Sequence, residues 1–503
     1  MKPLMTALLV AALAQPLAAE PVRTAAAADS SWKKSAAEVA ARQGAPGGDA
    51  RAKNVILFVG DGMGITTITA ARIFEAQMRA KAAGGTFPGF DGGEENLLSF
   101  ERFPSRALVK TYNTNAQVPD SAGTASAMTT GTKTRIGVLG MLPGQGAEAC
   151  RTPERLPATL ATIARDRGLG IGIVTTTRIT HATPAAMYAH VPDRDWEAFD
   201  REYPVEARKS GCADIADQLV RFRGADVVLG GGLQKFRPQA QGGTRDDGRD
   251  LIAEWQAANP AGRFVEAAPA FRALQPGDSG PVFGLFNATH LDFNFDADRK
   301  KEPSLAELAT FAVRKLQARS GGRGYVLMVE GGRIDHAHHL SNAYRALDET
   351  VQFAQAIEAV AKIVDMKDTL ILVTADHSHV FTMAGYPPRG NDILGFLKPI
   401  AGGEGRSALD PQGNVLDQLG RPVPTLGYAN GPLEVRVGGK TLTSARAPND
   451  PDYLQPKTFL FSAETHGGED VALYAAGPGQ ALVSGTLEQN SIFHIIASAL
   501  GWR

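Results

Sequence analysis

The chain has 503 residues, 43% of them hydrophobic and 21% charged. That is an ordinary balance for a globular protein with one large domain and insertions, or with two to three smaller domains. Lys and Arg together number 52 against 53 for Asp and Glu, which excludes a general attraction to nucleic acid or to an anionic membrane, so any anion binding must be local.

The N-terminal segment has the pattern of an export signal. One lysine precedes an apolar core, Leu4–Leu13, and small residues follow at Ala18 and Ala19. This pattern is typical of a secretory signal peptide, and the apolar core is too short to span a bilayer. We predict that residues 1–19 are removed and that the mature protein is periplasmic or secreted, without a membrane anchor.

The two cysteines of the chain are Cys150 and Cys212. In an oxidising compartment they can form one disulfide, but their spacing does not establish the bond. Two buried free thiols are the alternative.

The first strong element is the apolar run Asn54–Val59, which predicts a strand buried on both faces of a parallel sheet. Asp61 follows it, between glycines that let the backbone turn sharply at the end of the strand. A carboxylate there is a candidate metal ligand. The alternative is that Asp61 caps the helix expected from about Ile65 to Lys81.

A second candidate lies in the segment VPDSAGTASAMTTG, where Asp120 and Ser121 open a helix that runs to about Thr130. A helix N-terminus presents free N–H groups and the positive end of the helix dipole, which suit an anion or an ionised serine oxygen. Ser121 is therefore either an N-cap or a nucleophile. No Ser-His-Asp arrangement is visible near it, so a nucleophilic Ser121 would need a metal ion to lower its pKa.

The next polar segment is RITHATPAAMYAHVPDR. Pro184 favours the first turn of a short helix that begins near Thr183, and His181 could face the same site. Arg194 lies beyond this helix. An arginine can clamp a phosphate in a planar, bidentate manner, although an arginine in a loop usually faces water.

The segment EGGRIDHAHH follows an apolar run that ends at Val329. Asp335 and His339 are four residues apart, so on one helical turn they share a face and could hold a single cation. A solvated polar loop is the alternative. The segment offers two carboxylates and three imidazoles: Glu330, Asp335, His336, His338 and His339.

Another apolar run, TLILVTA, ends directly in Asp376 and His377, and His466 precedes one more strand. The alternation of strands and helices predicts an α/β fold, in which ligands bind just beyond the carboxyl ends of the strands. The alternation fails between about residues 387 and 456, which we interpret as an inserted subdomain.

Six segments, in order, resemble the signature segments of the alkaline phosphatase family, and most closely its animal-type branch: DGMG, PDSAGTASA, HATPAAMYAHVPDR, EGGRIDHAHH, TADHSHVF and ETHGGEDV. The resemblance covers nearly the whole mature chain. It implies a three-layer αβα sandwich around a large, mostly parallel central sheet, with a crown-like inserted subdomain. The expected organisation is a signal peptide (1–19), an N-terminal extension with a short helix at Ser31–Gln43 (20–53) and a catalytic domain (54–503) with its insertion at about 387–456.

The resemblance also implies an activity, the hydrolysis of small-molecule phosphate monoesters to an alcohol and inorganic phosphate through a phosphoseryl intermediate. Ser121 would be the nucleophile, Arg194 the phosphate clamp and Asp120 the group that orients Arg194. His336 would support the site without touching metal.

Three metal ions are implied as well, two zinc and one magnesium. One zinc would be held by Asp335, His339 and His466. The second zinc would be held by Asp61, Asp376 and His377. The magnesium would be held by Asp61, Thr183 and Glu330, with His181 near it. The remaining histidines of these segments match no ligand position and are expected to be structural or surface residues: His190, His338 and His379.

Two further expectations rest on the resemblance. Cys150 and Cys212 lie in segments similar to the family's paired cysteines, which favours the disulfide. A homodimer is implied, with the Ser31–Gln43 helix and the inserted subdomain as contacts.

Two alternative functions remain at this point. A diesterase or sulfate-ester hydrolase of the same superfamily would share the two-metal core, but Arg194 and the third, magnesium-like site argue against it. A secreted, noncatalytic metal-binding protein would leave Ser121 as a mere helix cap.

Overall fold

The computed structural model describes residues 22–44, 47–48, 50–85, 93–400 and 408–502. The predicted signal peptide, residues 1–19, lies outside the described residues. In the described ranges the α-helices are α1 (Ser30–Arg42), α2 (Ile65–Ala82), α3 (Ser121–Thr130), α4 (Leu160–Asp166), α5 (Ala182–Ala185), α6 (Val205–Ser210), α7 (Ile215–Arg221), α8 (Leu251–Ala258), α9 (Ala268–Arg272), α10 (Leu305–Arg319), α11 (Arg333–His339), α12 (Ala343–Ala361) and α13 (Ser491–Ala499).

The strands of the same ranges fall into one large sheet and three small ones. They are β1 (Asn54–Gly60), β2 (Ser105–Lys110), β3 (Gly170–Arg178), β4 (Val227–Gly231), β5 (Arg263–Val265), β6 (Val282–Leu285), β7 (Tyr325–Gly331), β8 (Thr369–Ala375), β9 (Ser378–His379), β10 (Phe381–Met383), β11 (Leu426–Gly431), β12 (Glu434–Val437), β13 (Lys440–Thr443), β14 (Lys457–Leu460), β15 (His466–Gly467), β16 (Val471–Ala476) and β17 (Thr486–Glu488).

The large sheet has ten strands in the order β17-β2-β16-β8-β1-β7-β3-β4-β6-β5. Every pairing is parallel except those of β16, which runs antiparallel to β8 and β2. All residues of β1, β7 and β8 are buried, as expected for apolar strands covered by helices on both faces. The predicted α/β fold, with helices around a large and mostly parallel sheet, is confirmed.

The register of the central strands sets the position of the candidate site. Gly60 at the end of β1 is level with Gly331 in β7 and with Ala375 in β8. Thr175 in β3 is level with Glu330 in β7. Because parallel strands end at one edge of the sheet, the polar residues that end or follow these strands meet there.

The part of the chain predicted as an inserted subdomain contains the hairpin β12–β13 and the middle strand of a small sheet, β10–β11–β14. The outer strands of that sheet, β10 and β14, lie just outside the predicted bounds of 387 and 456. The domain boundaries therefore stay a prediction.

Two further features concern the cysteines and membrane insertion. Cys150 and Cys212 form a disulfide, so the open question about these thiols is answered in favour of the bond. Along the described residues, no helix is long and apolar enough to cross a membrane.

Candidate active site

Three carboxylates meet at the carboxyl ends of the central strands. Asp61 follows β1, Glu330 lies in β7 and Asp376 follows β8, and all three are completely buried. Burial and the neighbouring carboxylates Asp376, Asp335 and Glu330 raise the pKa of Asp61 well above its ordinary value. Burial also raises the pKa of Glu330 to about 7. Such a group of buried acids is costly without cations, and it suits metal ions.

The turn after β1 depends on a glycine. Gly62 has a φ of 69°, and a Cβ at this position would lie 2.4 Å from Nε2 of His379. Its backbone N–H donates to Asp376 Oδ1 at 3.0 Å. Asp61 caps no helix, because Gly64 occupies the N-cap position of α2. The capping alternative for Asp61 is therefore wrong.

Ser121 is the first residue of α3, and the N-cap is Asp120, whose Oδ1 accepts from the N–H of Gly123 at 3.0 Å. The hydroxyl of Ser121 is thus not used as a cap. Its Oγ lies 3.1 Å from Nε2 of His377 and 3.5 Å from Oδ1 of Asp61. The serine oxygen therefore lies against the group formed by Asp61, Asp376 and His377, whose candidate ligand atoms all lie within 4.8 Å of one another.

His377 is oriented towards the two carboxylates. Its Nε2 lies 3.4 Å from Asp61 Oδ1 and 3.4 Å from Asp376 Oδ2. Burial lowers the pKa of His377 well below its ordinary value, which favours the neutral imidazole that a metal ion requires. The hydroxyl of Thr124 lies within hydrogen-bond distance of two acceptors, the carbonyl oxygen of Asp120 at 2.9 Å and Asp376 Oδ2 at 3.2 Å.

A second group consists of Asp335, His339 and His466. Nε2 of His339 lies 3.3 Å from Asp335 Oδ1, and Nε2 of His466 lies 3.5 Å from the same oxygen and 3.1 Å from Nε2 of His339. His466 joins the group because β15 pairs with β9. Burial opposes ionisation of Asp335, but His339, His379 and His466 hold its pKa well below the ordinary value.

A third group surrounds Glu330. Glu330 Oε1, Asp61 Oδ2 and Thr183 Oγ1 are buried and have no hydrogen-bond partner. The other carboxylate oxygen of Glu330 accepts from the hydroxyls of Thr175 and Thr177. Three unpartnered oxygen atoms, two of them from carboxylates, are the ligand chemistry that magnesium prefers.

Arg194 is held on two sides. Its NH1 donates to Asp120 Oδ2 at 3.1 Å, and its NH2 lies 3.0 Å from Nε2 of His181. Burial opposes the charge of Arg194, but Asp120 and Asp61 raise its pKa above the ordinary value. Because Asp120 also caps α3, one carboxylate joins the guanidinium to the helix end that carries Ser121.

His336 lies beside this arrangement and belongs to none of the ligand groups found among the described residues. Its ring centroid is 5.4 Å from that of His181 and 4.2 Å from that of His290. Its Nδ1 is 2.8 Å from NH1 of Arg333. The structure thus brings all the site residues predicted from the sequence to one edge of the sheet, while their individual roles stay predictions.

Some residues of this site were missed by sequence reasoning. His379, expected to be structural or a surface residue, is buried and lies between Asp335 and Glu464. His379 lies two residues after His377, and Glu464 lies two residues before His466. Their closeness in sequence to candidate ligands was the signal that could have placed both residues near the site. Thr175 and Thr177 could have been found because they end an apolar strand.

The buried carboxylates and imidazoles around one serine define the class of a metal-dependent hydrolase. Comparisons with known proteins specify this class. The family model described as alkaline phosphatase matches residues 52–502. The tissue-nonspecific alkaline phosphatase of Gallus gallus is 42% identical over 465 residues, which covers 89% of this chain and 84% of that protein. The corresponding Homo sapiens isozyme is 40% identical, with coverage of 89% and 83%.

Solved structures of bacterial alkaline phosphatases share the fold. The Thermus thermophilus enzyme has a TM-score of 0.63 at 23% identity, covering 90% of this chain and 92% of that one. The enzyme of the Antarctic bacterium TAB5 has a TM-score of 0.59 at 20% identity, covering 90% and 99%. The chain belongs to the alkaline phosphatase family, whose members are metal-dependent enzymes that hydrolyse phosphate monoesters.

Proposed function

We propose that this enzyme hydrolyses phosphate monoesters by a double displacement in which Ser121 is the nucleophile and a phosphoserine is the intermediate. The observation that carries the proposal is the position of Ser121 Oγ, 3.1 Å from His377 Nε2 and 3.5 Å from Asp61 Oδ1 at the N-terminus of α3. Asp120 takes over the capping role, so the hydroxyl is free for chemistry.

The three groups of side chains fit two zinc ions and one magnesium ion. Nitrogen and carboxylate donors suit zinc at Asp335, His339 and His466 and at Asp61, Asp376 and His377. The oxygen atoms of Asp61, Thr183 and Glu330 suit magnesium. When bound, these ions supply the positive charge that stabilises the attacking and departing oxygens of an in-line displacement.

The chain's own groups bind and orient the phosphoryl group. Arg194, fixed by Asp120 and His181, presents a planar guanidinium that can grip two nonbridging oxygens. The free N–H groups of the first turn of α3 add positive potential at the same point. A terminal, dianionic phosphoryl group uses this grip best, so monoesters are favoured over diesters. Two successive in-line displacements predict net retention of configuration at phosphorus.

Replacing the nucleophile is the direct test. Ser121→Ala is expected to abolish measurable turnover of 4-nitrophenyl phosphate, while elemental analysis still finds wild-type zinc. Acid quenching of the wild type with radiolabelled phosphate should trap label on the protein, and the variant should trap none. The matched control is Ser126→Ala in the same helix, whose hydroxyl only bonds Val138 O and Gly140 N. Activity near the wild-type level in Ser121→Ala would disprove the nucleophile assignment.

The substrate class needs its own assay. The kcat/KM for 4-nitrophenyl phosphate should exceed that for bis(4-nitrophenyl) phosphate and for 4-nitrophenyl sulfate at alkaline pH. A preference for the diester or for the sulfate ester would replace the monoesterase proposal with the alternative from the same superfamily. Zinc binding without turnover of any of the three would favour a noncatalytic metal-binding protein.

The proposal also includes a homodimer and export after removal of residues 1–19. The dimer rests on family resemblance, and light scattering of the purified protein should give twice the mass of the mature chain. Export rests on the N-terminal sequence pattern. N-terminal sequencing of the exported protein should begin near Glu20.

A further inference from the structure

Glu464 lies two residues before His466, and its side chain is completely buried. Its Oε2 is 2.5 Å from Nδ1 of His379, and its Oε1 accepts the N–H of Val380 at 2.8 Å. A carboxylate buried next to a group of candidate metal ligands needs partners of this kind, and here both of its oxygens have one. Glu464 is therefore held rigidly next to His379.

His379 connects Glu464 to the candidate zinc ligand Asp335. Its Nε2 is 2.8 Å from Asp335 Oδ1, so the ring lies between two carboxylates. Each nitrogen of the ring thus already contacts a carboxylate oxygen, one of Glu464 and one of Asp335. His379 thus orients the carboxylate of Asp335 rather than acting as a ligand itself.

The main chain of Glu464 orients a second candidate ligand. Its carbonyl oxygen accepts from Nδ1 of His339 at 2.6 Å, and its N–H donates to the carbonyl of His339 at 2.9 Å. A carbonyl oxygen can only accept, so the first contact fixes the tautomer of His339 that carries its proton on Nδ1, while the second joins the two main chains. Its Nε2 then faces the other two members of the group, 3.3 Å from Asp335 Oδ1 and 3.1 Å from Nε2 of His466, where a shared cation would be bound.

We propose that Glu464 is the positioning residue of the group formed by Asp335, His339 and His466. Through His379 it sets the orientation of Asp335, and through its carbonyl it sets the ring of His339. The inference rests on the proposed function in that this group is taken to hold a zinc ion. It adds that the affinity of this site for zinc depends on a residue that does not touch the metal.

The test is zinc binding by Glu464→Ala and Glu464→Gln, measured by competition with a chromophoric chelator and by elemental analysis. Loss of an outer hydrogen-bond partner typically weakens metal affinity about 10-fold to 100-fold. We expect a loss of this size for one of the two zinc equivalents in the Ala variant. The Gln variant should lose less, because its amide oxygen can still accept one of the two bonds. Added zinc should restore kcat/KM in both variants.

The control for a merely structural effect is Glu101→Gln. Glu101 is also a buried glutamate that accepts a backbone N–H, from Leu98, and pairs with Arg72, but it lies outside the candidate site. This variant should lose stability without any change in zinc affinity. Equal zinc affinity in Glu464→Ala and the wild type would overturn the proposal. Loss of a whole zinc equivalent that excess zinc does not restore would also overturn it, because Glu464 would then be a ligand.

A double-mutant cycle tests the path through His379. If Glu464 acts on Asp335 through His379, the variant His379→Gln should itself weaken zinc binding. The substitution Glu464→Gln should then lower the zinc affinity by a smaller factor in the His379→Gln variant than in the wild type. If the two losses of zinc-binding free energy add fully, Glu464 does not act through His379. Because zinc affinity is the readout, a chain that binds two zinc ions but hydrolyses no phosphate ester would refute the proposed function and leave this inference standing.

Discussion

Asp120 serves two partners with its two carboxylate oxygens. Oδ1 caps α3 by accepting from Gly123 N–H, and Oδ2 holds NH1 of Arg194. The first contact contributes to stability, and under the proposed function the second orients Arg194 for substrate binding. Capping the helix needs only an acceptor oxygen, whereas the pair with Arg194 also uses the negative charge of the carboxylate. Two substitutions can therefore separate the two contacts.

We predict different outcomes for Asp120→Asn and Asp120→Ala. Asparagine caps helices about as well as aspartate, so the Asn variant should keep its denaturation midpoint, while alanine should lose about 1 kcal/mol of stability. Both variants should lose roughly tenfold in kcat/KM for monoesters, the equivalent of about 1.4 kcal/mol for one charge-assisted hydrogen bond. Unchanged kinetics in the Asn variant would show that the charge of Asp120 does not hold Arg194.

At the scale of elements, a cluster of charged side chains lies at one edge of the large sheet. Glu488 in β17 pairs with Lys110 in β2 and with the buried Lys133, and its third cation, Lys34, comes from α1. Asn490, which precedes α13, donates to Ser31 O in α1 and can also reach Gly131 O. The N-terminal helix is thus tied to the sheet edge and to the helix that carries Ser121.

The Glu488 cluster predicts a pH dependence of stability. Burial opposes ionisation of Glu488, but Lys110 and Lys133 lower its pKa from 4.5 to about 2. The folded state therefore binds this proton less readily than the unfolded state. The stabilisation is fully present above pH 4.5 and is lost as the pH falls towards 2.

Glu488→Gln should lower the urea midpoint at neutral pH and flatten its decline between pH 4.5 and pH 2. The matched control is Glu358→Gln, which removes only an exposed pair with Lys362 and should change stability by less than about 0.5 kcal/mol. If both variants follow the wild-type pH profile, the lysine cluster does not stabilise this edge.

At the scale of the whole molecule, the fold brings buried carboxylates from distant parts of the chain together in the site. Asp61 and Glu330 each have a buried oxygen without a hydrogen-bond partner, and burial raises the pKa of both carboxyls. The fold therefore concentrates negative charge at one edge of its sheet, where bound cations would relieve the repulsion. The free energy of unfolding should therefore depend on metal binding.

Metal removal should therefore destabilise the enzyme as well as inactivate it. Dialysis against a chelator should abolish turnover and lower the thermal midpoint, and zinc plus magnesium should restore both. An ion present at 100 times its dissociation constant adds about 2.7 kcal/mol of stability. The variant Ser121→Ala should regain stability in the same way without regaining activity. A thermal midpoint that does not respond to metal would contradict the assignment of these groups as metal sites.

Much of this architecture could be predicted from local sequence. Apolar runs of strand length placed Asp61, Glu330 and Asp376 at strand ends, because a buried strand must end where polar residues begin. The helix beginning at Ser121 was predicted with the correct ends, since its N-terminal residues have clear capping chemistry. The helix predicted at Ser31–Gln43 lies within one residue of α1 at both ends.

Other features depend on contacts between residues far apart in the chain. Whether Ser121 or Asp120 caps α3, whether Cys150 pairs with Cys212, and what His379 contacts are set by packing rather than by neighbours in sequence. The sequence by itself specified the fold class through its periodicity and the chemical character of the candidate ligands through residue type. The family followed from the resemblance of six segments to the family's signature segments. The tertiary structure decided which of those ligands meet. Parallel strands that end at one edge of the sheet bring Asp61, Glu330 and Asp376 together, and the pairing of β15 with β9 adds His466.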